Sequence, residues 1–189
     1  MARPDARDRL LTSATRLLAK GGLEAVNSNQ IAREAGVGVG TFYAHFPDKR
    51  AVQQTVVLAA LDALRRRVER DVAASGPEPE QQVRGSVEAA VAFAEEDPDR
   101  FRVALGGSPG PGGRAGLGYS GRGVERRLRQ LQGEGRVDPR LHPAVAARAF
   151  ASAQAAVLLW WLEDPRRAPR DELVETLVRL HPALIEPSA

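Results

Sequence analysis

The stretch Asn27 to Arg50, reading NSNQIAREAGVGVGTFYAHFPDKR, constrains this chain more than any other. Asn27 with Gln30 three residues later forms the pattern of a capping box and opens a short helix through Ala35. Gly36 suits a tight turn, and Gly38 and Gly40 leave room for another backbone to approach closely. A second short helix is expected from about Val39 to Phe46. Phe42 and Phe46 lie four apart and share one face, so Thr41, Tyr43, Ala44 and His45 project elsewhere. A helix anchored by two phenylalanines that turns Thr, Tyr and His outward has a surface role. Pro47 ends it, Asp48 suits the N-cap of a third helix, and Lys49 and Arg50 open that helix.

Two short helices joined by a tight turn have the spacing of a helix-turn-helix. The run IAREAGVGVGTFYAHFPDK also resembles the signature of the TetR family of transcriptional regulators. Ile31-Ala32, Ala35-Gly36-Val37, Gly40-Thr41, Tyr43, His45-Phe46 and Lys49 stand in the family's order. The resemblance covers about the first quarter of the chain. Family members usually carry Ser or Thr where Gly38 stands, and Thr near Asn27. Both replacements keep a helix-capping residue, and what changes is any base contact those hydroxyls add. Helix-turn-helix proteins present base contacts from the N-terminal part of the second helix. The expected DNA-binding residues are therefore Ser28, Asn29, Val39, Gly40, Thr41 and Tyr43, with Asn29 able to pair with adenine edges and Val39 or Thr41 able to meet a thymine methyl. Tyr43, His45 and Lys49 are expected on phosphate, Lys49 helped by its helix N-terminus. Packing under the turn is the other reading of Tyr43.

Charge agrees with that placement. The net charge is +3, and residues 1–50 hold eight Lys or Arg against five Asp or Glu, so the remainder is balanced. A basic excess confined to the N-terminal quarter suits a small DNA-reading module on a neutral body. The chain has no cysteine, hence no disulfide framework and no thiolate metal site, and its three histidines have no ligand spacing. No apolar signal core opens the chain, and the apolar run Ala149 to Leu162 is shorter than the roughly 18–20 residues of a membrane span. A soluble, cytoplasmic protein without cofactors is expected.

Helical periodicity runs through the whole chain, and no segment alternates with period two. Met1 to about Asp5 reads as a loose arm. Leu10, Leu11, Ala14, Leu17 and Leu18 stripe a helix to Lys20, which completes a three-helix bundle over residues 1–48 with Leu10, Leu17, Val26, Ile31, Ala35, Val37, Phe42 and Phe46 as its core. A core of that size is marginal alone and must lean on the helices C-terminal to it. Residues 49–189 read as a helical ligand-binding and dimerisation bundle, so the fold class is all-α. Its expected helices are a strut from Lys49 to Ala74, roughly 35–40 Å long, then about 79–96, 99–105, 120–132, 143–162 and one from near Asp171. Val52, Val56, Ala59, Ala60 and Ala63 are expected to line the strut, and Leu173, Leu177, Leu180 and Leu184 the last helix. Residues 106–118, GGSPGPGGRAGLG, read as a mobile loop because they are rich in Gly and Pro. Gly116 to Gly121 also satisfies G-x-G-x-x-G, but no strand precedes it, as a dinucleotide site requires.

The helix 143–162 is apolar on most sides and must be covered on most sides. A second copy of the chain is the simplest cover, and the resemblance implies the same, since the last two helices usually form a four-helix dimer interface. Ala149, Ala153, Ala156, Leu173 and Leu177 are expected there. The resemblance also implies a cavity for a small apolar or aromatic effector, with Phe93, Phe101, Leu105, Tyr119, Leu128, Gln154 and Trp160 as candidate lining. Aromatics at helical spacing are more often plain core. The expected function is a ligand-responsive dimeric repressor on a palindromic operator in double-stranded DNA. The alternatives are a helical enzyme or an interaction module that binds no DNA. Against the enzyme stands the absence of any converging acid, base and nucleophile in the sequence.

Overall fold

The computed structural model describes residues 5–22, 25–106 and 111–184, of which 111–120 and 184 are described in backbone only. Among the described residues every regular element is a helix: α1 Ala6–Gly21, α2 Ser28–Glu34, α3 Val39–His45, α4 Lys49–Ala74, α5 Pro79–Glu96, α6 Pro98–Leu105, α7 Pro111–Gly133, α8 Pro143–Glu163 and α9 Arg170–Arg179. Single 3-10 turns stand at Pro165–Arg167 and Pro182–Leu184.

The chain starts and stops these helices where its capping residues fall. Asp5 accepts from the Asp8 amide at 2.7 Å, and Asp48 from the Ala51 amide at 2.8 Å. Asp97 accepts from the Arg100 amide, so the cap of α6 is Asp97 with Pro98 at the first helical position. Asp99, the opener expected from sequence, lies inside the first turn.

One buried cluster runs from Leu10 to Ala183, so the N-terminal module and the body share a core. Phe42 is fully buried and Phe46 nearly so, which anchors α3. Leu17 and Val37 are only partly buried against the same cluster. The module does lean on the body, because α1 packs against both α4 and α6. Within the body α4 packs on α5, α6 and α7, while α7 lies along α8 and α9 sits on α5. Ion pairs join these layers: Arg67 of α4 bridges Asp71 and Glu96, and Arg84 of α5 holds Glu175 of α9 at 2.7 Å. Exposed pairs of this kind add little stability each.

Three expectations need correction. Residues 111–118, read as a mobile loop, are the first turns of α7; residues 107–110 lie outside the described residues. Pro111 stands at the first helical position, where its missing N–H costs nothing. Helix packing can outweigh the poor propensity of glycine. A Cβ on Gly121 would lie 3.5 Å from the Ala147 carbonyl oxygen of α8, an ordinary van der Waals contact, so α7 and α8 meet here without requiring a glycine. The G-x-G-x-x-G match therefore lies in a helix, and no strand occurs among the described residues. The buried face of α4 is Val52, Val56, Val57, Ala60, Leu61 and Leu64, rotated from the expected stripe, and Ala59 is exposed. Finally, α9 ends at Arg179, which leaves Leu180 65% exposed.

Candidate nucleic-acid interface and effector cavity

The geometry of α2 and α3 is set by a few local bonds. The Asn27 side chain accepts from the Gln30 amide at 2.9 Å, and the Gln30 side-chain oxygen accepts from the Asn27 amide at 2.8 Å. This is the capping box expected from sequence. Gly36 has φ +63°, a left-handed conformation that L side chains rarely adopt, and it reverses the chain after α2. The Gly36 amide donates to the Arg33 carbonyl and the Val37 amide to the Ala32 carbonyl, so the turn is fully tied. Gly38 caps α3 with backbone alone; the Thr41 and Phe42 amides both donate to its carbonyl.

Phe42 and Phe46 hold α3 down, their rings 6.0 Å apart, and the Arg7 guanidinium lies 5.7 Å from the Phe46 ring centre. The opposite face is open. Val39 is 44% and Tyr43 56% exposed, Gly40 and His45 are exposed, and Thr41 is half-buried. On α2, Asn29 is exposed and Ser28 half-buried. The Tyr43 ring meets the Phe42 ring edge-on at 5.3 Å, which orients the phenol without burying it. Beyond their own neighbours and helix backbone, no atom among the described residues lies within 4 Å of a Cβ built on Gly38 or Gly40. The space over these glycines is thus left open by the described residues.

Lys49 sits apart from this group in one respect. Its ammonium donates to the Val26 carbonyl at 3.2 Å and is half-buried, so it fastens the start of α4 to the segment ahead of α2. The sequence carried no signal for that bond, which spans 23 residues.

The body encloses a cavity of about 350 Å³ between α4, α5, α6, α7 and α8. Leu61, Leu64, Phe101, Leu105, Phe150 and Leu158 form its buried floor. Its exposed lining comprises Arg65, Glu69, Arg122, Gly123 and Arg126, which mark the mouth, and the half-buried Ser86 and Gln154 add polar lining. Of the expected lining residues, Phe101, Leu105 and Gln154 are here. Phe93 and Leu128 are buried in the core away from the cavity. Trp160 is 46% exposed on the outside of α8, with the Arg167 guanidinium 5.2 Å from its ring centre, and it does not line this cavity. The side chain of Tyr119 lies outside the described residues. Sequence reading missed Leu61, Leu64 and Phe150, because periodicity places a residue on an inner face without showing where that face leaves a void.

Along α8, Ala147, Phe150, Ala151, Ala155, Leu158 and Trp161 enter the core. The Trp161 indole N–H donates to the Ala168 carbonyl at 2.9 Å. Val145, Ala149, Ala153, Ala156 and Trp160 form an exposed row on the other side. The helix has 21 residues, close to the expected 143–162, and by length and composition it is long and apolar enough to cross a membrane although its charge-free run, Ala149 to Leu162, is shorter; 33% of its most apolar window is buried. Leu173 and Leu177, expected at a contact between copies, are 5% and 3% exposed and belong to the protomer's own core. They sit on the face of α9 that packs on α5, a choice between two faces that spacing alone leaves open.

His181 lies just beyond α9 and is 3% exposed, edge-on to the Phe150 ring at 4.4 Å. Its Nδ1 accepts from the Ala183 amide at 3.1 Å. Burial pushes its pKa down to about 4, so the ring is neutral near pH 7.

Comparisons with known proteins meet this geometry at both scales. Residues 10–54 match the family described as bacterial regulatory proteins, tetR family. An HTH-type transcriptional regulator of Staphylococcus aureus strain USA300 is 39% identical over 56 residues, a match that spans 30% of this chain and 30% of that protein. Solved structures share the fold along nearly the whole chain. A proposed tetR family transcription regulator from Shewanella sp. PV-4 superposes with a TM-score of 0.78 at 19% identity, covering 98% of this chain and 100% of that one. The transcriptional regulator FadR from Bacillus subtilis, in complex with stearoyl-CoA, superposes with a TM-score of 0.76 at 14% identity, covering 94% and 98%.

Proposed function

We propose that this chain, a TetR-family member by its DNA-binding module and its fold, is a cytoplasmic, dimeric DNA-binding transcriptional regulator. Residues 1–48 form the DNA-binding part and residues 49–189 the effector-binding and dimerisation part. The carrying observation is α3: two buried phenylalanines lock it on the core while Val39, Gly40, Thr41, Tyr43 and His45 present an open face. Asn29 and Val39 read base edges, and Tyr43 and His45 meet phosphate. Lys49 positions the start of α4 through the Val26 carbonyl and adds a phosphate contact.

One such module offers little surface for specificity, so two act together about a two-fold axis on a palindromic operator. The exposed row Val145, Ala149, Ala153, Ala156 and Trp160 of α8 supports the contact between copies. A membrane is the poorer cover for it, because the other side of the same helix is consumed by the protein core.

The regulator acts as a repressor released by a small molecule. Support comes from the cavity, whose floor includes Phe101 and Leu105 of α6, while α6 also packs against α1 of the module. Filling the cavity biases the position of α6, and with it the spacing of the two α3 helices. Such coupling is typically about 1–3 kcal/mol, a roughly 5–150-fold change in operator affinity. This route runs through α6 as well as through the α4 strut. The helical enzyme is the poorer reading: of the polar groups lining the cavity, the Ser86 hydroxyl donates to the Val83 carbonyl of its own helix and Glu69 pairs with Arg65, so neither is shown acting on the other.

The test is a mobility shift with the DNA upstream of the protein's own gene, scanned to a footprint, beside sedimentation of the free protein. A symmetric footprint and a dimer are expected. Absence of any specific shift on that or on selected random DNA would overturn the regulatory reading.

A further inference from the structure

We propose that Arg9 of α1 is a phosphate-contacting residue of the DNA-binding module, so that α1 joins α3 and the start of α4 on the nucleic acid. This rests on the reading of the module as a DNA binder and adds a residue outside the helix-turn-helix itself. Among the described residues, the Arg9 Nε is the one buried side-chain nitrogen or oxygen without a hydrogen-bond partner. Folds normally satisfy such a group, because a buried donor without an acceptor costs stability. A cation kept at that cost needs a use that the free chain does not supply.

Its place indicates the use. Arg9 is half-buried, and a Cβ built on Gly36 would lie 3.9 Å from its Nη1. Gly36 makes the turn between α2 and α3, so the guanidinium stands at that turn. Val39 opens α3 three residues later, at most about 11 Å from Gly36 between Cα atoms. The major groove is about 12 Å wide, so a helix lying in it has a phosphate strand on either side within that range. With Val39 on base edges, one strand runs within reach of Arg9.

Neighbouring acids leave this charge uncompensated. Glu34, the last residue of α2, pairs with Arg16 at 2.9 Å. The Asp5 and Asp48 carboxylates cap α1 and α4. The body behaves differently: Arg65, Arg67, Arg84, Arg102, Arg136 and Arg170 each stand against a carboxylate. An uncompensated guanidinium at the turn before the reading helix is suited to a polyanion. Because Nε is shielded, the terminal nitrogens meet the phosphate, through charge-assisted bonds that carry no sequence information. Holding the inner nitrogen in place also reduces the freedom the side chain loses on binding.

The experiment is fluorescence anisotropy of the full-length protein on its footprinted operator and on a random duplex of equal length, at several KCl concentrations. Wild type, Arg9→Ala and Arg9→Lys are compared. Arg9→Ala should weaken binding to both duplexes by a similar factor, roughly tenfold, and lower the slope of log affinity against log salt by about one per half-site. Arg9→Lys should restore the slope, since it restores the charge. Loss of turn packing alone would leave the slope unmoved. If circular dichroism shows Arg9→Ala unfolded, Arg9→Gln, which keeps most of the stem, gives the same readings. A slope equal to that of the wild type, or a loss confined to the operator, would overturn the assignment of Arg9 and leave the regulatory reading intact. A wild type that binds neither duplex overturns the regulatory reading and this assignment with it.

Discussion

α3 and α8 each keep one face in the core and show the other to solvent, but the faces differ in length and polarity. α3 is seven residues long and shows Thr, Tyr and His around a single exposed valine. That face is hydrated without a partner. α8 is 21 residues long and shows Val145, three alanines and Trp160 in one row. A continuous apolar row of that length is a surface that soluble monomers rarely keep bare. The same rule, two faces per helix, thus leads to different occupants. A short polar face with small side chains suits the grooves of a nucleic acid, and a long face of small apolar residues suits close helix packing against a second copy.

The largest expected effect comes from breaking the second face alone. Ala153→Arg or Ala156→Arg places a charge on the exposed row without touching the protomer's core, so circular dichroism stays unchanged. Sedimentation should shift from dimer to monomer, and operator affinity should fall by about 10²–10⁴-fold as the second module is lost. A wild-type monomer, or an Arg variant that binds operator normally, would sink the contact at α8.

Next comes the packing behind that face. His181 touches Phe150 of α8, and its pKa, about 4 when folded, is below its ordinary 6.5. Above pH 6.5 the ring is neutral in both folded and unfolded chains and contributes no pH dependence. As pH falls from 6.5 towards 4 the unfolded chain takes up a proton that the folded one refuses. Stability drops over that window by on the order of 2–3 kcal/mol. Urea unfolding at pH 7 and pH 5 measures it, and His181→Asn should remove most of the difference. A wild-type slope equal to that of the variant would show that His181 is not the titrating group.

Substitutions on the first face should be smaller and selective. Asn29→Ala and Val39→Ala should each cost about 1–3 kcal/mol at one base pair of the operator and leave folding intact. Equal weakening on all sequences would take direct readout away from both residues.

The smallest effect separates two roles of one residue. Lys49→Ala removes the donor to the Val26 carbonyl and should lower stability by about 1 kcal/mol. If Lys49 also meets phosphate, the salt dependence of operator binding falls by about one ion per half-site. A stability loss with an unchanged slope would assign Lys49 to holding Val26 alone.

What the sequence determined by itself is local. Asn27 with Gln30, Asp48 and Pro143 open helices through bonds or restrictions within four residues, so reading the chain locates them; the start of α6 is the exception, since its cap is Asp97, two residues before the Asp99 expected from sequence. Gly36 and the i, i+4 pair Phe42 and Phe46 are equally short-range, which is why the helix-turn-helix was legible before any tertiary contact. Tertiary structure decided the rest. A helical stripe does not say which neighbour will cover it, and so Leu173 and Leu177 turned inward to α5 while Trp160 turned out. Propensity argued against a helix from Pro111, and the structure nevertheless continues α7 there, in a helix that packs along α8. The cavity is a shortfall of packing among five helices, and the Lys49 to Val26 bond joins residues 23 apart. Both depend on where whole helices come to rest, and that is set by burying the shared core.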